Sequence, residues 1–166
     1  TTLPAKAEKL TVMLDWFINP DHAPLIIAEE RGLFEKYALE VALIPPADPS
    51  DPPKLVAAGR ADIAVSYQIS QHIQVDAGLP VIRIGTLVAT PLNTLVVLAD
   101  GPVQSIGDLK GRKVGFSVGG VEDIMMTTML EPYGLTLDDI TMINVNFNLS
   151  PSLITGQVDA VIGAYR

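Results

Sequence analysis

The chain has 166 residues, 48% of them hydrophobic, so it is long enough to bury the core of one domain or of two small lobes. Its formal net charge is -8, and its densest basic spot is only Lys110, Arg112 and Lys113, which argues against a surface for nucleic acid or anionic membranes. The absence of Cys excludes disulfides, Cys-ligated metals and thiol catalysis. No apolar run approaches the ~18 residues of a membrane span.

The first half of the chain alternates short β-branched runs with amphipathic stretches, which predicts strands and helices in turn. The predicted strands cover residues 10–14, 39–44, 62–66 and 81–88. The predicted helices cover residues 23–37, where Gly32 interrupts the apolar face, then the segment from Pro52 to Gly59, and residues 69–77. This order predicts a mostly parallel sheet with helices on both faces.

A second run of the same order begins at Thr94, after a break over residues 90–93. We therefore predict a crossover near residues 89–93 and two lobes, residues 1–90 and 91–166. The predicted strands of the second lobe are 94–98, 113–117, 141–145 and 159–163, and its helices are 105–109, 121–133 and 151–155.

One weak internal repeat relates the two halves. Residues 59–64 read Gly-Arg-Ala-Asp-Ile-Ala, and residues 156–161 read Gly-Gln-Val-Asp-Ala-Val. In both segments a predicted helix, a glycine, a polar residue, an apolar residue and an Asp lead into a predicted strand.

Aromatic and polar residues gather where the predicted strands end. In open parallel sheets, ligands bind beyond the carboxyl ends of the strands, where backbone amides and helix N-termini point. The segments in question hold the one Trp, two of the four Tyr and one of the two His, and they are residues 15–22, 66–68, 117–122 and 164–166. Trp16 and Tyr67 have two interpretations that stay open here: packing in a core, or a flat platform for a ring.

The polar residues at these ends are equally ambiguous. A single His that opens a helix, as His22 does, is more often a cap or a surface residue than a base. Gly119 and Gly120 form either a tight turn or an anion cradle, and no Walker A or G-x-G-x-x-G sequence supports the cradle. Glu122 lies in the first turn of a predicted helix, where it either complements the helix dipole or accepts hydrogen bonds from an exocyclic amine.

Residues 14–25, Leu-Asp-Trp-Phe-Ile-Asn-Pro-Asp-His-Ala-Pro-Leu, resemble a motif of the thiamine-pyrimidine precursor-binding proteins of ABC importers. These proteins share a fold with the fungal thiamine pyrimidine synthase. The pattern Asp-Trp-x-x-Asn-x-x-His is the specific part of the resemblance. Further matches run along almost the whole chain, at residues 48–52, 55–59, 69–85, 108–115 and 156–163, and the last two of these support only the fold.

The resemblance implies an α/β fold like that of type II periplasmic binding proteins, with two hinged lobes of mostly parallel sheets and a ligand in the cleft. It implies that Trp16 stacks on the pyrimidine. Tyr67 and Tyr165 are then further candidate contacts, and the candidate polar partners are Asn19, His22, Ser117 and Glu122. Family members are roughly twice as long, so we expect the C-terminal portion of the family fold to be missing from this chain.

The resemblance also bears on whether the chain is an enzyme. In the fungal synthase, a Lys that carries pyridoxal phosphate follows the third strand, with a reactive His shortly after, and the matching positions here are Ser66 and Ser70. A Schiff base needs an amine, which Ser66 lacks. The Cys-rich segment of the synthase also has no counterpart in this chain. We therefore expect a protein that is not an enzyme and that uses no cofactor and no metal.

We expect the substrate-binding component of an ABC importer, which captures a hydroxymethyl- or aminomethylpyrimidine. Its partners would be this small molecule and the membrane subunits of the importer, with no nucleic acid and no membrane span of its own. The polar residues 1–8 fit a periplasmic or extracytoplasmic chain after signal removal, and equally a chain cut at that point. The alternatives are a binder of a sulfonate, nitrate or riboflavin-like ring and, less favoured, a synthase-like enzyme.

Overall fold

The computed structural model describes residues 7–90 and 92–164. The chain divides into two compact units, unit 1 (Thr1–Ala89) and unit 2 (Thr90–Arg166). Each unit has its own sheet. The identification of residues 1–90 and 91–166 with the two lobes of the family fold stays a prediction.

In unit 1, residues 7–89 form one sheet and four short α-helices. Its elements in chain order are β1 (Glu8–Met13), α1 (Ala23–Glu30), α2 (Leu33–Lys36), β2 (Leu39–Ile44), α3 (Pro52–Ala57), β3 (Ile63–Ala64) and α4 (Gln68–Asp76). A single 3-10 turn, Pro20–His22, precedes α1. The strands are parallel and lie in the order β2-β1-β3, so β1 is the central strand.

In unit 2, the residues that the structure describes form a second sheet and two α-helices. Its elements are β4 (Asn93–Val97), β5 (Lys113–Phe116), α5 (Val121–Leu130), β6 (Thr141–Asn144), α6 (Leu149–Ile154) and β7 (Ala160–Ala164). The strand order is β4-β7-β5-β6, in which β4 runs antiparallel to β7 and the other pairs are parallel. The predicted α/β fold with mostly parallel sheets is therefore confirmed.

The buried apolar side chains are concentrated in unit 2, where one cluster packs α5 against the sheet. Its buried members are Val103, Leu109, Val114, Met126, Leu130, Ile140, Ala160 and Ile162. In unit 1, α1 and α2 bury no residue, whereas Val12, Met13 and Leu14 are buried at the end of β1. Full burial of one such side chain contributes about 1.5–3 kcal/mol. The loop after β1 therefore starts from the best anchored point of unit 1.

Two predicted elements differ in extent from the observed ones. The helix predicted over residues 23–37 is divided, because Gly32 adopts a left-handed conformation with φ of +62° that an α-helix cannot contain. The strand predicted over residues 62–66 is shortened to β3. Single hydrogen bonds continue its pairing on both sides, from the N–H groups of Asp62 and Val65 to carbonyls of β1.

The prediction of a strand over residues 81–88 was wrong, because this segment has no regular secondary structure. Ile82 and Ile84 are 84% and 72% exposed. A β-branched run becomes a strand only where a neighbouring strand pairs with its N–H and C=O groups, and no strand of residues 7–90 or 92–164 pairs with this one. Residues 81–88 thus have the composition of a strand but no described neighbouring strand to pair with.

The weak sequence repeat corresponds to one structural device that both units use. In unit 1, Gly59 follows α3 with φ of +67°, and Asp62 then meets the central strand. The N–H of Asp62 donates to the carbonyl of Thr11 at 3.0 Å, and the N–H of Thr11 donates to the Asp62 carboxylate at 2.7 Å.

In unit 2, Gly156 follows α6 with φ of +73°, and Asp159 repeats the arrangement on β5. The N–H of Asp159 donates to the carbonyl of Lys113 at 2.8 Å, and the N–H of Lys113 donates to Oδ2 of Asp159 at 2.9 Å. Each Asp therefore extends the parallel pairing of a central strand by a side-chain acceptor.

We expect Asp159→Ala to lower the free energy of unfolding by about 1–2 kcal/mol, because the N–H of Lys113 loses its charged acceptor. Asp159→Asn retains an acceptor oxygen and should lose less. Urea unfolding followed by circular dichroism measures both, with Asp138→Ala at an exposed carboxylate of the same unit as the matched control. Equal effects of Asp159→Ala and Asp138→Ala would contradict the role of this hydrogen bond.

Candidate functional site

The predicted site residues of unit 1 lie at the carboxyl edge of its sheet. Residues 15–22, which we call the Trp loop, follow β1 and carry Trp16, Asn19 and His22. Tyr67 follows β3 and is the N-cap residue of α4. Because β1 and β3 are parallel neighbours, the Trp loop and Tyr67 leave the sheet at the same edge.

His22 ties the two ends of the Trp loop together. Its ring is 1% exposed, and Nε2 lies 2.8 Å from Oδ1 of Asp15. Nδ1 faces the backbone N–H of Asn19 at 3.3 Å and can only accept from it, so the ring proton is on Nε2, which donates to the Asp15 carboxylate. Both ring nitrogens are therefore engaged inside the loop. Direct contact of His22 with a ligand stays a prediction, and this geometry favours a supporting role.

Asn19 holds the middle of the Trp loop. It is the N-cap residue of the 3-10 turn, with an extended backbone, and its Oδ1 accepts the N–H of Asp21 at 2.9 Å. Its Nδ2 donates to the carbonyl of Phe17 at 2.9 Å. Both ends of the side-chain amide are thus used to shape the loop, and a ligand contact by Asn19 likewise stays a prediction.

The large apolar side chains of the Trp loop are not buried in its interior. Phe17 and Ile18 are 53% and 58% exposed, and Trp16 is partly buried. The rings of Trp16 and Phe17 make an edge contact, with centroids 6.4 Å apart and planes at 77°, which stabilises a pair by about 0.5–1.5 kcal/mol. The loop therefore buries a His and exposes large apolar groups, which reverses the usual distribution. A fixed aromatic surface of this kind can receive a flat ring.

The predicted polar residues of unit 2 lie around the loop that joins β5 to α5, residues 117–120, which we call the Gly loop. Ser117 is 3% exposed, and its hydroxyl donates to the carbonyl of Asn146 at 2.7 Å. Asn146 follows β6 and has a left-handed backbone with φ of +50°. Ser117 therefore links the carboxyl ends of β5 and β6.

The N-terminus of α5, which follows the Gly loop, is capped by a carboxylate of the chain itself. Gly120 has φ of +86° at the N-cap of α5, and its N–H donates to Oδ2 of Asp123 at 2.5 Å. An anion cradle would need this N–H group as a donor, but the Asp123 carboxylate already accepts it. The tight-turn interpretation of Gly119 and Gly120 is the one that the geometry favours.

Glu122 is a buried carboxyl group in the first turn of α5. It is 4% exposed, and its Oε2 accepts the N–H of Val118 at 3.2 Å. Burial raises the pKa of Glu122 to about 7, the N–H groups of Glu122 and Val118 act in the opposite direction, and the neighbouring Asp123 adds to the rise. Near neutral pH this group can therefore donate or accept a hydrogen bond, according to its protonation state.

Tyr165, the remaining predicted site residue, lies outside the described residues. Asp15 was missed as a candidate, although it directly precedes Trp16. The available signal was a carboxylate at the end of a buried strand and a His seven positions later, on the two sides of a short loop.

The described part of the chain offers neither a cluster of metal-binding side chains nor a helix that could span a membrane. Within residues 7–90 and 92–164, no group of three or more His, Cys, Asp or Glu side chains could hold a metal ion. In the same part of the chain, no helix is both long and apolar enough to cross a membrane.

The raised pKa of Glu122 predicts a pH-dependent stability. Because the folded-state value of about 7 lies above the ordinary value of 4.5, the folded protein binds more protons between these values, and stability falls as pH rises through this range. The full loss is about 3 kcal/mol, from 1.36 kcal/mol for each pKa unit. Glu122→Gln resembles the protonated form and should remove this pH dependence.

Urea unfolding at several pH values between about 4.5 and 8 tests this expectation. Glu131→Gln, at an exposed Glu beside the end of α5, is the matched control and should leave the pH dependence unchanged. An equal slope of stability against pH in the native chain and in Glu122→Gln would show that Glu122 does not titrate in this range.

Comparison with known proteins identifies relatives along nearly the whole chain. A Haemophilus influenzae protein named for thiamine biosynthesis is 56% identical, over 99% of this chain and 53% of its own length. The formylaminopyrimidine-binding protein of Halalkalibacterium halodurans is 35% identical, over 95% of this chain and 48% of its own length. The 4-amino-5-hydroxymethyl-2-methylpyrimidine phosphate synthase of Aspergillus parasiticus is 34% identical, over 94% and 46% respectively. The chain thus spans about half the length of these curated relatives.

A solved structure supports the fold. The alkanesulfonate-binding protein of Xanthomonas axonopodis pv. citri, bound to MOPS, aligns with a TM-score of 0.78 at 20% identity, over 96% of this chain and 55% of that chain. This likeness confirms the predicted fold, like that of periplasmic binding proteins, and it says nothing about the ligand. The family model described as NMT1/THI5 like matches residues 19–166. The chain therefore belongs to the NMT1/THI5-like family.

Proposed function

We propose that the chain is part of the substrate-binding component of an ABC importer and that it captures a thiamine-related pyrimidine. The ligand is of the hydroxymethyl- or aminomethylpyrimidine type, the partners are the membrane subunits of the importer, and the location is periplasmic or extracytoplasmic. One observation carries the proposal: the Trp loop presents a partly buried Trp16 in edge contact with an exposed Phe17, on a loop closed by the hydrogen bond between Asp15 and His22. The relative that binds formylaminopyrimidine by its name supports this ligand class.

In unit 1 we assign the flat faces of the ring to the aromatic residues. Trp16 stacks on one face, which contributes on the order of 1–3 kcal/mol by analogy with bases on aromatic side chains. Tyr67 leaves the sheet at the same edge and is a second aromatic contact. Asn19 and His22 act in this proposal mainly through the loop, because their side-chain polar atoms already bind within it.

In unit 2 we assign the polar edge of the ring to Glu122 and Ser117. A carboxyl group with a pKa of about 7 can donate to a ring nitrogen when it is protonated and accept from an exocyclic amine when it is ionised. A sulfonate or nitrate offers only acceptors, and an ionised Glu122 would repel it. This difference favours an aminopyrimidine over the anionic alternatives. Tyr165 stays a candidate contact from the sequence.

We expect Trp16→Ala to weaken binding of hydroxymethylpyrimidine about ten- to hundredfold, because stacking is lost. Titration calorimetry on the full-length protein measures the affinity, and urea unfolding measures the accompanying change in stability. Tyr37→Ala, which removes an aromatic ring that is 73% exposed in the same unit and away from the Trp loop, is the matched control.

An unchanged affinity in Trp16→Ala would return Trp16 to a packing role and remove the main support for the proposal. The same titration with sulfonates, nitrate and riboflavin separates the alternative ligands, since tighter binding of any of them than of the pyrimidine would replace it. With Glu122→Gln, a native affinity together with an altered stability would remove Glu122 from the site.

The fungal relative carries the name of an enzyme, so a second function has to be weighed. The position that corresponds to the Lys of the synthase, on the resemblance described above, is Ser66, which is exposed and lies two residues after β3. Ser70, at the position of the reactive His, is 7% exposed in α4. Neither hydroxyl can form a Schiff base with pyridoxal phosphate or replace an imidazole in proton transfer.

We expect no specific adduct when the protein is incubated with pyridoxal phosphate, reduced with borohydride and mapped by mass spectrometry, because Ser66 has no amine. Ser66→Lys restores an amine at this position and controls for access of the cofactor. A single specific adduct in the native protein would support the synthase-like function instead.

A further inference from the structure

We propose that Asp15 and His22 are positioning residues for ligand capture, because the hydrogen bond between them, which buries His22, sets the orientation of Trp16. This inference rests on the proposed function, in which Trp16 stacks on the ring. It adds Asp15 to the residues on which binding depends, and it assigns His22 a role through the loop instead of a contact with the ligand.

The two residues close the Trp loop at its ends. Asp15 follows Leu14, which is 0% exposed at the end of β1, and His22 immediately precedes α1. The bond of 2.8 Å between Oδ1 of Asp15 and Nε2 of His22 therefore joins the sheet to the first helix. Trp16 directly follows Asp15, so a bond that fixes Asp15 also restrains the backbone from which the indole ring projects.

The burial of the pair makes this closure strong. His22 is 1% exposed and the side chain of Asp15 is 20% exposed, so loss of either partner leaves the other polar group largely shielded from water. Because a buried polar group without a partner is unfavourable, the surviving side chain would move toward solvent. That movement would open the loop at the point where Trp16 is attached.

A purely structural role explains less of the loop. A loop that served only to connect β1 and α1 would gain stability by burying Phe17 and Ile18, which instead are more than half exposed. The hydrogen bond between Asp15 and His22 closes the loop while these apolar groups stay exposed, and the edge contact between Trp16 and Phe17 restrains the indole ring. This arrangement fits a surface prepared for a ligand.

Trp16 is the one Trp among these 166 residues. In the full-length protein, the difference from a Trp16→Phe background isolates its fluorescence anisotropy and near-ultraviolet circular dichroism, which report the order of the loop. Asp15→Ala removes the acceptor, and His22→Asn is too short to reach Asp15. Both changes should lower the anisotropy and weaken binding of hydroxymethylpyrimidine at least about tenfold. Asp15→Asn and His22→Gln each retain one group for the bond and should recover much of both signals, and their milder change protects the test if a harsher variant does not fold.

Asp62→Ala is the matched control, because it removes another carboxylate of unit 1 that holds β1 at Thr11, away from the Trp loop. It should lower stability and leave the Trp16 signals and the affinity unchanged. The inference is overturned if Asp15→Ala behaves like Asp62→Ala. If the native full-length protein binds no pyrimidine, the proposed function fails, and the anisotropy of Trp16 without ligand still decides whether the pair positions the ring.

Discussion

Parallel pairing on both sides of a central strand is the constraint on which the rest of each unit depends. In unit 1 the order is β2-β1-β3, and in unit 2 the order β6-β5-β7 repeats it, with β4 added at the edge. In each case an Asp binds the N–H of a residue in the central strand, which locks the register of the strand that follows the Asp. Because the register is fixed, the loops after β1 and β5 leave their sheets at defined points, and the candidate ligand residues lie on these loops.

The carboxyl group of Glu122 illustrates how two effects of known size compete at such a point. A helix N-terminus stabilises a carboxylate by about 0.3–1 kcal/mol. Burial acts in the opposite direction and raises the pKa of Glu122 from 4.5 to about 7, which corresponds to about 3 kcal/mol. The helix end is therefore too weak to hold the pKa of this carboxyl group at its ordinary value. The first-turn position that is visible in the sequence predicts the smaller effect, and the larger one depends on packing.

Hydrophobic pattern was sufficient to predict most strands and the parallel sheets, because β2 and β5 coincide almost fully with their β-branched runs. It failed at residues 81–88, where pairing depends on a partner that periodicity does not reveal. The sequence predicted which strand ends carry the candidate site residues, but not the hydrogen bonds among their side chains. That Trp16 and His22 follow β1 is readable from the sequence. That Asp15 binds His22, and that Asn19 is occupied within the loop, depends on the folding of eight residues back on themselves.

The two loops use equivalent positions of the repeated scaffold for opposite purposes. The polar side chains of the Trp loop hydrogen-bond within the loop, and Phe17 stays exposed on its surface. At the Gly loop, Asp123 accepts the N–H of Gly120 at the start of α5, and the neighbouring Glu122 is buried. An aminopyrimidine has two apolar faces and a polar edge, so its recognition needs both kinds of surface. Under the proposed function, the repeated sheet explains why a ring platform in unit 1 and a titrating carboxyl group in unit 2 occur at corresponding strand ends.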